Sequence, residues 1–298
     1  MIKVRVPASS ANMGAGFDTL GVALGLYNRI EIEEIPEGLE VINKNAPNFI
    51  PKDTNNLIYR SMMCLFDHVG YQPKGYRITQ NSRIPMTRGL GSSSACIIGG
   101  MLGANVISGR QLSYSEIIHL AAKLEGHPDN VGPAMYGGFC VSLTDGDKTI
   151  IKSTKLQNHI KFAAIVPDYY MATRKSRGVL PQEVEFRDAV YNIGHASMFQ
   201  AAMTSGDMEA LKISAKDRLH QDYRKGYVEG MEDIFNKTYS LGSNATYLSG
   251  SGPTIMSVLS GGYDEFRDGM QKYFYENSPG WRCIILSADN VGAVVSVI

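Results

Sequence analysis

Apolar side chains recur along this chain at two periods, and the places where one gives way to the other mark out its elements. From Ile2 to Pro7 apolar and basic residues alternate as in a half-buried strand, and Pro7, which has no N–H to give, closes it. Ala8 to Gly16 then reads as a loop. Ile30, Ile32 and Ile35, interleaved with glutamates, predict another strand. Leu57, Ile58, Met62, Leu65, Phe66 and Val69 share one face at helical spacing and predict a helix from Leu57 to Val69. Ser113 followed by Glu116 is a capping box. Behind it Ile117, Ile118, Ala121 and Leu124 form a stripe that Gly126 ends. Phe139 to Leu143 and Phe162 to Val166 read as strands, and the charged turn Asp145 to Lys148 separates a first half from a second, with a domain boundary near residue 155. The second half carries helical runs at Phe186 to Ser205, Met208 to His220 and Tyr227 to Leu241. Strand-like runs follow at Ala245 to Ser249, Thr254 to Leu259, Cys283 to Ser287 and Ala293 to Ile298. The class is α+β, without repeats or low-complexity segments.

Composition narrows the functions open to such a chain. Its 298 residues suffice for one large or two medium domains, each with a proper core. Twenty-nine basic residues balance 29 acidic ones, so neither nucleic acid nor an anionic membrane surface is an expected partner. Cys64, Cys96, Cys140 and Cys283 are scattered and form no CxxC pair, which suggests neither a zinc site nor a disulfide framework. The stretch MIKVRVPASSANMG lacks the apolar core of a signal peptide, and Ala95 to Ile107 is too short to span a bilayer. The expected location is the cytosol.

Against that neutral background, PMTRGLGSSSA, Pro85 to Ala95, stands out. Glycines and serines at the mouth of a helix present backbone N–H groups and hydroxyls to an anion, which points to phosphate. No GxxxxGK[ST] occurs, so the ordinary P-loop is excluded. Glu125 sits in the last turn of a helix, an unfavourable placement by roughly 0.3–1 kcal/mol unless a cation is near. A serine of Ser92 to Ser94 with Glu125 would hold Mg²⁺ on a nucleotide; equally, Glu125 can pair with a surface lysine. His127 and Asn130, in EGHPDNV, are either aimed inward past Pro128 or part of a turn in which Asp129 and Asn130 cap their own backbone. PASSANMGAGFDTLG, Pro7 to Gly21, sets Asn12 and Asp18 among small residues, where Asp18 can meet an ammonium and Asn12 a hydroxyl, or the loop is simply tightly packed. LSGSGPT, Leu248 to Thr254, is by itself only a turn.

In order and spacing these four segments together resemble the motifs of the GHMP kinases, and within that superfamily most closely the homoserine kinases. The resemblance spans nearly the whole chain. It implies an N-terminal ATP-binding domain over residues 1–155, of the ribosomal protein S5 domain 2-like type with a left-handed βαβ unit, and a ferredoxin-like C-terminal domain over residues 156–298. It implies ATP contacts at Asn56, Pro85, Arg88, Gly89, Leu90, Gly91, Ser92, Ser93, Ser94 and Ala95, with Mg²⁺ on Ser93 and Glu125. MATRKSRGVLP resembles the segment in which a Thr and an Arg enter the site, here Thr173 and Arg177, and LHQDYR the one ending in a second substrate arginine, Arg224. Substrate contacts are thus expected from Asn12, Asp18, His127, Thr173, Arg177, Arg224, Gly250 and Ser251, and catalytic roles from Asn12, Asn130, Glu125 and Arg177.

Two guanidiniums suit an amino-acid carboxylate and Asp18 its ammonium. Asn130 stands where many relatives carry an Asp, so catalysis by positioning and electrostatics is expected in place of a strong base. The implied partners are ATP and L-homoserine, in a chain that can pair as a homodimer. Asp222 replaces a common Pro two residues before Arg224, and Met13 and Ala15 replace Leu and Pro. A carboxylate at 222 can neutralise or re-aim Arg224. That leaves two alternatives: another small-molecule kinase of the superfamily, acting on threonine, a mevalonate-type alcohol or a sugar alcohol, and an ATP-binding regulator without turnover. A serine hydrolase is disfavoured because the chain has no GxSxG elbow.

Overall fold

The computed structural model describes residues 1–45, 49–171 and 173–298, the side chains of residues 173 and 174 excepted. Two sheets organise it. The first comprises β1 (Ile2–Ala11), β2 (Leu20–Ile35), β3 (Leu39–Lys44), β4 (Gly75–Ser82), β5 (Phe139–Asp145), β6 (Lys148–Thr154) and, from the chain's end, β11 (Val294–Val297). Its order is β11-β1-β2-β4-β3, with β5 joining β2 and β6 joining β5. The pair β3 and β4 is parallel, as a crossover through α1 (Leu57–Val69) requires. The second sheet, β7 (Lys161–Val166), β8 (Ala245–Leu248), β9 (Ile255–Leu259) and β10 (Arg282–Ser287), is antiparallel with order β10-β7-β9-β8. Helices follow its first and third strands, which is the ferredoxin-like arrangement. Those helices are α5 (Thr173–Arg177), α6 (Phe186–Ser205), α7 (Met208–Ser214), α8 (Gln221–Arg224), α9 (Met231–Ser240) and α10 (Tyr263–Asn277). Among the described residues no helix is long and apolar enough to cross a membrane.

The helix that positions the site is α2 (Ser92–Ile107), which packs with α1, α3 (Tyr114–Glu125) and α4 (Val131–Tyr136) on the first sheet. It is apolar nearly all round and buried from Ser94 to Asn105, as expected of a central helix. Its approach to α1 is so close that a Cβ on Gly100 would lie 2.5 Å from the Ile58 carbonyl oxygen. One large core joins both halves, taking in Met13, Leu20 and Ile98 from the first and Phe162, Phe199 and Leu211 from the second. β11 also returns to the first sheet, Ile2 opposite Val297, so the chain crosses twice between the two sheets.

Helix α1, the capping box at Ser113 and the start and end of α6 lie where periodicity predicts them. Other expectations are corrected. Ala8 to Ala11 is strand, paired with Leu24 to Gly21, because the buried hydroxyls of Ser9 and Ser10 find partners in Asn130 and Ser249 and need no water. The run Met208 to His220 stops at Ser214, and Tyr227, the end of a 3-10 turn, is separated from the α-helix that begins at Met231, after Gly230 at φ 65°. β4 is missed because its inward row, Tyr76, Ile78, Gln80 and Ser82, is half polar. α10 is missed because only Phe266, Met270 and Phe274 face inward.

These packing relations separate two glycines of equal helix propensity. Gly100→Ala is expected to lower stability by about 1–3 kcal/mol through overpacking. Gly194→Ala, on α6 in open space, should raise it by up to about 1 kcal/mol. Urea unfolding of the two variants checks both signs.

Candidate active site

A cleft opens between the two units. Its walls are the turn after β1, the loop from Met86 to Gly91, the mouth of α2, the link from α3 to α4, and, from the second unit, α5, α8 and the β8–β9 turn. Gly91 is the N-cap of α2 at φ 66°, without a side-chain cap. A Cβ there would stand 1.9 Å from Ser9 Oγ, so only glycine lets the loop lie on β1 and leave the first-turn N–H groups open to an anion. At the other end of this wall Ile50, Pro51, Leu57, Ile58 and Met86 make an apolar surface suited to a flat ring.

Just inside the helix mouth, Ser93 Oγ donates to Glu125 Oε2 at 2.8 Å and Ser94 Oγ to Oε1 at 2.9 Å. Burial pushes the Glu125 carboxyl above its ordinary range, against the opposing pull of the His127 charge and the two hydroxyls. A carboxylate that is costly to ionise, held by hydroxyls at an anion-binding helix end, is an all-oxygen donor set, which fits Mg²⁺.

Opposite lies a group of paired charges. His127 Nδ1 donates to Asp129 Oδ1 at 2.5 Å. Burial lowers the His127 pKa, but the bond to Asp129 and the charges of Asp129 and Glu125 outweigh it, so His127 is held above its usual value. Arg177 forks onto Asp18, Nη2 to Oδ1 at 2.6 Å and Nη1 to Oδ2 at 3.0 Å. Asp18, His127 and Asp129 bring ligand atoms within 4.8 Å of one another. Each of the two carboxylates already has its own partner, Arg177 on Asp18 and His127 on Asp129.

Arg224 differs. It is 1% exposed, and among the described residues it forms no ion pair with a carboxylate. Nε donates to Ser176 O at 3.2 Å and Nη1 to Gly250 O at 3.1 Å. Burial first, and the neighbouring Arg177 second, bring its pKa down to about 10. A buried guanidinium paired only with neutral acceptors calls for an anion from outside the chain.

Comparison with known proteins gives this geometry a family. The GHMP kinases N terminal domain matches residues 56–138. A homoserine kinase of Caldicellulosiruptor saccharolyticus is 46% identical over 297 residues, 99% of this chain and 96% of that protein. One of Clostridium beijerinckii is 44% identical over 296 residues, 99% of this chain and 98% of that protein. The crystal structure of a homoserine kinase from Cytophaga hutchinsonii shares the fold, with TM-score 0.87 at 24% identity over 99% of this chain and 97% of that one. This chain belongs to the homoserine kinase family of the GHMP kinases.

Most of the residues that the GHMP resemblance singles out do meet in the cleft: Asn12, Asn56, Gly89, Leu90, Gly91, Ser92, Ser93, Glu125, His127, Asn130, Arg177, Arg224, Gly250 and Ser251. Others do not. Arg88 turns away from the phosphate loop, donating to Pro167 O and Asp168 O and lying over the Tyr170 ring, so it joins the two units and does not line the cleft. Met86 faces the cleft where Pro85 was expected. Ser94 reaches the site only through Glu125, and Ala95 is core. Asp18 lines the adjoining hollow beside His127. The side chain of Thr173 lies outside the described residues.

Two further residues carry more structural duty than a GHMP motif suggests. Asn56 caps α1, accepting from Ile58 N and donating to Pro51 O. Asn12, at φ 68°, accepts from Asp18 N and donates to Gly250 O, tying the first motif to the last. Asp222 is exposed whereas Arg224 is buried, so the carboxylate neither neutralises nor re-aims it. Sequence reasoning missed Asp129 as the partner of His127, though its place two residues on was a signal. Gly91→Ala should weaken ATP binding at least about tenfold, read by calorimetry without metal, and lower the melting temperature; unchanged affinity would exclude the α2 mouth as the phosphate site.

Proposed function

We propose that this protein transfers the γ-phosphoryl group of ATP to the side-chain hydroxyl of L-homoserine, giving O-phospho-L-homoserine and ADP, a step of threonine biosynthesis. The observation that carries the substrate half is Arg224, buried at the cleft wall without a carboxylate of its own. Arg177 stands beside it, and Asp18 offers carboxylate acceptors to an ammonium. A zwitterionic head with a short hydroxyl arm matches that pattern; a sugar alcohol leaves the Arg224 guanidinium without an anion. The four cysteines are free and support a reducing compartment, the cytosol.

In this reading the triphosphate lies along Gly89 to Ser93, on the N–H groups of the α2 mouth, and the base rests on the apolar wall near Asn56. Mg²⁺ bound with ATP neutralises charge on the phosphoryl oxygens, and Ser93 and Glu125 are the residues that would hold it. The homoserine oxygen forms its bond to the γ-phosphorus as the bond to the bridging oxygen breaks and ADP leaves. The hydroxyl proton passes to a phosphoryl oxygen or water. Asp129 is occupied by His127, and Asn130 offers an amide, with Oδ1 accepting from Ser9. The rate then rests on alignment and on preorganised positive charge.

A coupled assay of ADP release with L-homoserine, L-threonine, L-serine, mevalonate and galactose tests the reading, and homoserine-dependent turnover well above the rest is the expected result. Arg177→Ala and Arg224→Ala should each raise the homoserine KM by about ten- to a hundredfold, the loss of a charge-assisted contact of about 1.5–3 kcal/mol. The KM for ATP should stay within about threefold of wild type; equal rises in both constants would remove the carboxylate assignment.

A further inference from the structure

We propose that His220 is a positioning residue for Arg224, its neutral ring holding one edge of the guanidinium so that the other faces the cleft. The inference rests on the reading above that Arg224 meets the substrate carboxylate. His220 is wholly buried at the N-cap of α8, one helical turn before Arg224. Its two ring nitrogens have unlike partners. Nε2 lies 2.9 Å from Gly14 O, which can only accept, and Nδ1 lies 3.1 Å from Arg224 Nη1, which can only donate. The partners therefore fix one tautomer: proton on Nε2, lone pair on Nδ1. A second proton would set two cations face to face.

The surroundings agree with a neutral ring. Burial and the Arg224 charge lower the His220 pKa, against the opposing pull of Asp217. Asp217 Oδ2 is 3.7 Å from Nε2, beyond hydrogen-bond distance, and its carboxylate already accepts from Asn192 Nδ2 and from the N–H groups of Leu219, His220 and Gln221.

With His220 included, three of the five N–H groups of Arg224 are placed. Nε goes to Ser176 O, and the two on Nη1 go to Gly250 O and His220 Nδ1. Among the described residues Nη2 has no hydrogen-bond partner, while the residue lines the cleft. Every acceptor is uncharged, so the guanidinium is immobilised without being neutralised. A carboxylate in place of His220 would hold it as firmly and cancel the charge that the ligand is to meet. Phe17 closes the group, its ring centroid 5.3 Å from that of His220 and 5.4 Å from the guanidinium carbons of both Arg177 and Arg224. The carbonyl that fixes His220 belongs to Gly14, two residues from Asn12, so the aim of Arg224 is referred to the turn after β1, whose Asn12 lines the same cleft.

Two isosteric variants separate this role from mere packing. His220→Asn keeps an acceptor near Nδ1 and loses the bond to Gly14; His220→Gln keeps a donor near Nε2 and loses the acceptor for Arg224. Both should melt lower than wild type. The homoserine KM should stay within about threefold for His220→Asn and rise about tenfold or more for His220→Gln, with the KM for ATP unchanged in both. In an Arg224→Ala background His220→Gln should add less than about twofold. Equal KM effects of the two variants, a matching rise for ATP, or additivity with Arg224→Ala overturns the proposal. On the wild-type protein, ¹⁵N spectra of labelled histidine should show the Nε2–H neutral tautomer for His220 from pH 6 to 8, and an Nδ1–H or doubly protonated ring overturns it even if neither variant folds. If wild type shows no homoserine-dependent turnover while that tautomer is found, the substrate reading fails and the ring's bond to Arg224 stands.

Discussion

The approach of a buried helix mouth to a strand is the constraint on which the rest depends. α2 runs through the centre of the first unit with no charged side chain, so the positive end of its dipole is the main electrostatic feature that it presents to the cleft. To bring that end to the surface of the cleft, the loop before it must lie on Ser9, whose N–H bonds Leu90 O. Gly91 makes the contact possible. Ser9 in turn bonds Asn130, so the phosphate loop and the α3–α4 link are located by the same strand residue. The expected triphosphate and hydroxyl positions are thereby set relative to each other through one short strand end.

Charge is distributed across the cleft in the same economical way. Asp18 and Asp129 have Arg177 and His127 beside them, and Glu125 has two hydroxyls. What is left over is Arg224 on one side and the open N–H groups of α2 on the other. Both features call for anions, and they lie on opposite units. A ligand with a carboxylate and a ligand with phosphates would satisfy both at once, and in the proposed reading that pairing brings the reacting oxygen and phosphorus together.

Much of this was legible in the chain and some was not, for physical reasons. GLGSSS announces its chemistry because glycine and serine are what a backbone anion site needs, and the helix ending in Glu125 is bounded by a capping box and a left-handed glycine. Arg88 reads as a phosphate ligand from its place in the motif, yet its guanidinium is drawn to two carbonyls and an aromatic ring of the other unit, contacts that no local pattern encodes. Asp222 reads as a threat to Arg224 from adjacency alone. A helix turn sends the two to different environments, one exposed and one buried. The strand character of Ala8 to Ala11 was hidden because its serines find partners from residues more than a hundred positions away.

Gly250 shows how that long-range information becomes geometry. Its carbonyl accepts from Asn12 Nδ2 and from Arg224 Nη1, and its N–H donates to Ala11 O. The first motif, the last motif and Arg224 thus converge on one peptide unit of the β8–β9 turn. A shift of that turn would move the Asn12 amide and the Arg224 guanidinium together, keeping their separation. For the proposed transfer, which relies on alignment, shared attachment preserves the distance between the Arg224 guanidinium and the Asn12 amide. His220 extends the same logic by tying Arg224, through its ring, to Gly14 O in the turn after β1.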